Sequence, residues 1–198
     1  MHKNIINKNY IFALICFGLF LHLFSAYFTV GFYSDDEHFQ ILEISAYLLG
    51  INDVAINDPG DFYWEWQKGT SMRPWIQPVI YYNIIIFLKS ISLDDPFIWS
   101  TVLRIISSIL GFLSILCVFY IFKDFFFKKN IFFNYFLFFT FWFYPFLHSR
   151  TSSENLSMSL FLIAFSFIFQ MLSKNNKKFN YLSYSLLRFI LGISMAIK

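Results

Sequence analysis

Residues 10–30 read Y-I-F-A-L-I-C-F-G-L-F-L-H-L-F-S-A-Y-F-T-V. The run holds no Asp, Glu, Lys or Arg. As a helix rising about 1.5 Å per residue it matches the ~30 Å hydrocarbon core of a bilayer. Lys3 and Lys8 precede it. It is too long for the apolar part of a signal peptide, and no clean small-residue cleavage site follows, so it reads as a retained first span. His22, inside it, reads as a packed or hydrogen-bonded histidine.

Comparable runs follow at 97–122, 131–147 and 156–172, and a fifth begins at 181 and stops incomplete at 198. Hydrophobic residues make up 58% of the chain and charged ones 14%, which excludes an ordinary water-soluble domain. The apolar/polar alternation of a membrane β-barrel is absent. The expected fold class is an all-α polytopic membrane protein, one membrane domain over 1–198. Cys16 and Cys117 lie inside apolar runs, so neither a disulfide framework nor a metal site is expected. The net charge of +3 is segregated along the chain and implies no nucleic-acid partner; the expected partner is the lipid bilayer.

That segregation sets the expected topology. Lys3 and Lys8, then Lys123, Lys128 and Lys129, then Lys174, Lys177 and Lys178 fall in alternate connections. The positive-inside rule makes those connections, and the N-terminus, cytoplasmic. Residues 31–96 then form a large exoplasmic loop containing interfacial helices, and 148–155 lie on the same side. This parity holds only if the moderately apolar piece 75–92, broken by Pro78 and Asn83, stays interfacial or re-entrant.

Directly after the first run comes Y-S-D-D-E-H-F-Q-I-L-E, residues 33–43. Ser34 and Glu37 fit a capping box, which predicts a helix over 34–50 starting at Asp35, with Gly50 as its stop. At helical spacing Asp36, Gln40, Glu43 and Tyr47 share one stripe on an otherwise apolar helix. Asp35 and Glu37 are equally well explained as first-turn complements of the helix dipole. For Asp36, aligned with Gln40 and Glu43, a role along a substrate path is the better reading.

Two other clusters carry polar chemistry. In Y-W-E-W-Q-K-G-T-S-M-R-P-W-I-Q-P, residues 63–78, Trp64, Trp66 and Trp75 read as an aromatic belt, with sugar stacking the alternative. Arg73 opposes the positive-inside bias and suits a lipid phosphate. In H-S-R-T-S-S-E-N, residues 148–155, Arg150 is a second phosphate candidate. The plain reading of that segment is a solvated turn, with Ser152 or Ser153 capping the next helix. Arg104, inside a span, needs an acidic or phosphate partner, or must snorkel outward.

The order of these elements resembles the family 22 mannosyltransferases, GT-C-fold enzymes that build GPI anchors and the dolichol-linked oligosaccharide and have bacterial relatives. The resemblance rests on Asp36-Glu37-His38-Phe39-Gln40-Ile41-Leu42-Glu43, on Trp64-Glu65-Trp66 with Arg73 and Pro78, and on Arg150-Thr151-Ser152-Ser153. Ser34-Asp35 stand where the family has His-Pro, so the catalytic slot falls to Asp36 or Asp35. Pro74 replaces a serine, and Glu154 replaces an asparagine. The resemblance implies a GT-C-type helix bundle of which this chain is the amino-terminal portion. It also implies inverting transfer of a sugar, mannose by analogy, from a polyprenyl-phosphate donor to a glycan or glycolipid acceptor on the exoplasmic face.

In the roles the resemblance implies, Asp36 or Asp35 is the general base. Glu37 and His38 shape the acceptor site, and Gln40, Glu43, Trp64 and Trp66 line the substrate path. Arg73 or Arg150 binds phosphate, with no metal and no cofactor. The membrane would be a bacterial inner membrane, or the endoplasmic reticulum in a eukaryote. Two rival readings remain: a transporter or flippase for lipid-linked glycans, and a non-catalytic truncated fragment.

Overall fold

The computed structural model describes residues 8–30, 41–50, 74–126, 131–173 and 181–197. Among these residues every regular element is a helix. In chain order they are α1 (Lys8–Phe28), α2 (Glu43–Leu48), α3 (Ile76–Ser90), α4 (Pro96–Phe126), α5 (Ile131–Thr140), α6 (Phe143–His148), α7 (Ser153–Ser173) and α8 (Tyr181–Ile197). Three stretches are long and apolar enough to cross a bilayer: Asn9–Phe28, Pro96–Ile121 and Ser153–Met171. The chain is a helical membrane protein.

α4 is the axis of the bundle. It packs against α1, α5, α6 and α7 and touches α3. Its start is written in Asp95-Pro96. The Asp95 carboxylate accepts the Phe97 N–H at 2.8 Å, and Pro96 takes the first helical position, where a missing N–H costs nothing.

Three apolar clusters hold the bundle. Ile41, Tyr81, Ile85, Leu88, Trp99 and Leu103 join α3 and the start of α4 to the residues around α2. Phe112, Ile115, Phe119 and Phe139 join α4 to α5, with Ile11, Leu14, Ile15 and Leu19 of α1 packed on them. Ala164, Met171 and Leu187 join α7 to α8, and Ser157 Oγ–H crosses between the same helices to the Ser194 carbonyl at 2.7 Å. Phenylalanines left exposed on α1, such as Phe12, Phe20 and Phe24, are where lipid would lie.

Two local features need sequence reasons. α2 ends at Gly50, whose φ of 68° is the left-handed stop expected there; the expected start at Asp35 lies outside the described residues. Residues 131–147, which read as one run, are instead two helices broken at Phe141–Trp142. Pro145 explains the break, since it has no N–H to offer the Phe141 carbonyl four residues back, and its ring crowds that carbonyl. The Phe141 oxygen accepts the Tyr144 N–H at 3.2 Å instead, in a tighter turn.

Candidate functional site

Beyond the break at Phe141–Trp142, α6 packs against α1 and α4, and the segment after it is buried. His148, Arg150 and Ser153 are each only 8% exposed, Thr151 2% and Ser149 0%. The turn expected to be solvated is thus a packed polar strip between α1, α3 and α4. The cause is the route of the chain, because nothing in a run of Ser, Thr, Arg and Asn announces burial.

Every part of this strip is tied down. His148 Nδ1 lies 3.1 Å from His22 Nε2 of α1, with the rings stacked 5.3 Å apart. Ser25 Oγ–H donates to Ser149 Oγ at 3.5 Å, and the Thr29 hydroxyl approaches the same atom at 3.3 Å. Gln77 Nε2–H of α3 donates to the Thr151 carbonyl at 2.7 Å and to Tyr81 Oη at 3.0 Å; Tyr81 Oη in turn lies 3.4 Å from Ser107 Oγ of α4. Asn155 Nδ2–H donates to the carbonyls of Arg150, at 2.6 Å, and of His148, at 3.3 Å. Ser152 Oγ accepts the Asn155 N–H at 3.3 Å, so Ser152 caps α7. These bonds satisfy buried main-chain groups that would otherwise be costly.

Arg150 carries the strip's formal charge, and its guanidinium carbon sits 4.7 Å from the centroid of the Phe146 ring. Arg104, on the first third of α4, donates to the Thr29 carbonyl at the end of α1. That acceptor is main chain, and a guanidinium there is well matched to the negative end of a helix dipole. His148 lies outside the three spanning helices. Burial pushes its imidazole down to about 4, and His22 adds to the same direction.

The profile of the Alg9-like mannosyltransferase family matches residues 12–197. The chain belongs to that family. No curated protein and no solved structure matches it.

Within this Alg9-like mannosyltransferase chain the expected site residues divide in two. Asp35, Asp36, Glu37, His38, Gln40, Trp64, Trp66 and Arg73 lie outside the described residues. Glu43 and Arg150 are described. Glu43 opens α2 and is half-buried, while Ile44 and Ser45 beside it are packed inward at 2% and 0% exposure. Ser45 Oγ lies 3.3 Å from the Pro78 carbonyl, beside Gln77, and Gln77 holds Thr151. One intervening helix, α3, therefore links Glu43's helix to Arg150's loop.

Reasoning from sequence missed His148, Gln77 and Asn155. Only Asn155 left a signal. Glu154, at the position where an asparagine was expected, is exposed, and the next residue supplies the amide that holds the loop.

Proposed function

We propose that this chain transfers a mannosyl residue from a polyprenyl-phosphate donor to a hydroxyl of a glycan or glycolipid on the exoplasmic face. The reaction class is carried by one observation, the family match over residues 12–197. Asp36, or Asp35 beside it, takes the proton from the acceptor hydroxyl. The freed oxygen attacks the anomeric carbon, the bond from that carbon to the phosphate oxygen breaks, and configuration inverts. Polyprenyl phosphate leaves as an anion and needs no acid to protonate it, unlike the alcohol expelled in glycoside hydrolysis.

Charge then gathers on the phosphate, and a guanidinium fixed nearby lowers that barrier. Arg150 suits this role. It is a cation drawn out of water on a segment whose carbonyls are held by Asn155 and Gln77. Arg73 is its expected companion.

The test is mannose transfer from polyprenyl-phosphate mannose in membranes carrying Asp36→Asn or Asp35→Asn. Loss of transfer in one of the two, with donor binding retained, identifies the base. Undiminished transfer in both rules out either aspartate as the base.

A further inference from the structure

The buried imidazole pair lies 126 residues apart in sequence and joins the first span to the arginine loop. It has one consistent hydrogen-bond arrangement when neutral. The Gly18 carbonyl can only accept, so His22 Nδ1, 2.8 Å from it, must carry a proton and donate. His22 Nε2 then has a lone pair to offer. His148 Nδ1–H fills it at 3.1 Å. His22 is also held through its own backbone, since Ser108 Oγ–H of α4 donates to its carbonyl at 2.8 Å.

The ring of His148 fits because α4 presents Gly111 there. A β-carbon at that position would overlap the Cβ and Cγ of His148. Tyr144 stacks on the same ring, with centroids 5.9 Å apart. His148 is therefore clamped by α1, α4 and its own helix. Arg150 follows two residues later, with Ser149 between them seated against Ser25 and Thr29 of α1.

We propose that His22 and His148 are a positioning pair: their single hydrogen bond fixes the 149–153 loop against α1 and so places Arg150 for a lipid phosphate. The functional half of this rests on the mannosyl-transfer reading; the hydrogen-bond half does not. Neither imidazole touches substrate in this account. Each acts through the loop backbone, and the side chain at 148 must supply a donor at the place of Nδ1.

The full chain, labelled with 15N-histidine and placed in lipid nanodiscs, tests the bond itself. The expected imidazole spectrum shows both His22 and His148 protonated at Nδ1, the form imidazole disfavours in water. A proton on Nε2 of His22 instead overturns the pair.

Binding of polyprenyl monophosphate, followed by quenching of tryptophan fluorescence, tests the positioning. His148→Asn keeps an amide donor near the place of Nδ1, whereas His148→Gln moves it toward Nε2. His148→Gln should weaken binding about tenfold, and His148→Asn should stay within about twofold of wild type. Equal affinity in His148→Gln and wild type overturns the positioning role while leaving the transfer reading standing. Equal weakening in Asn and Gln overturns it too, because a packing role alone would not separate them. Absence of binding by the wild-type chain refutes the phosphate reading and the functional half together, and the tautomer spectrum, recorded without any variant, still decides the hydrogen bond.

Discussion

The two halves of α4 do opposite jobs on one continuous helix. Its first half presents Arg104, Ser107, Ser108 and Gly111 to α1, α3 and the arginine loop, and each is engaged there. Its second half presents Phe112, Ile115 and Phe119 to Phe139 of α5, in an aromatic and aliphatic cluster. Both halves cross as one apolar span. Mean hydropathy therefore reports that a helix can enter a membrane and conceals which part of it is built for specificity. Apolar surface gives little preference for one helix neighbour over another in lipid, whereas hydrogen bonds and close small-residue contacts do.

The sharpest way to break that contrast is to place the same residue in each half. Gly111→Val drives a side chain into His148 and should destabilise the folded chain by about 3 kcal/mol, read as an earlier loss of helical signal on titration with a harsh detergent. Ile115→Val removes one methylene from the apolar half and should cost about 1 kcal/mol. Similar costs for the two would erase the distinction.

Acidification comes next. His148 is held near 4 in the folded chain against 6.5 when free, so the unfolded state binds the extra proton between those values. The contribution is complete above about 6.5 and is lost as pH falls toward 4. Among the described residues, the ring meets His22 on α1, Tyr144 on α6 and Gly111 on α4. The melting temperature of wild type should fall across that window more steeply than that of His148→Asn. Parallel curves would mean that His148 is not buried as described.

Arg104→Met should cost about 2 kcal/mol by freeing the last carbonyls of α1, measurable as faster hydrogen exchange near Thr29. Unchanged exchange would remove Arg104 from the polar half. The smallest effect belongs to Ser108→Ala, roughly 0.6 kcal/mol for one hydroxyl bond within a membrane bundle. A cost several times larger would show that the Ser108, His22 and His148 bonds act as a unit.

The sequence made some of this legible and hid the rest for identifiable reasons. Apolar runs without charge declared the helices, and Gly50 declared the end of α2. Pro145 stood in plain view inside 131–147, but hydropathy scores a proline's side chain and ignores its missing N–H, so the break at Phe141–Trp142 went unread. The Thr29 carbonyl that accepts from Arg104 was illegible because it is main chain, absent from any inventory of side chains. The burial of His148 depends on a glycine on another helix, and no local pattern encodes that. Of the proposed site, Glu43 and Arg150 can be placed, and α3 links their elements. The aspartates that would do the chemistry lie outside the described residues.

The break that Pro145 imposes at Phe141–Trp142 has a mechanical consequence. α6 is six residues, an arm of about 9 Å, hinged at one end and carrying His148 at the other. A change of about 10° at the hinge would swing the imidazole by roughly 1.5 Å, well beyond the tolerance of a hydrogen bond. The alignment of the Arg150 guanidinium is thus leveraged on the turn that Pro145 imposes at Phe141–Trp142, and a mutation that merely straightens the chain there would act as a mutation of the candidate site.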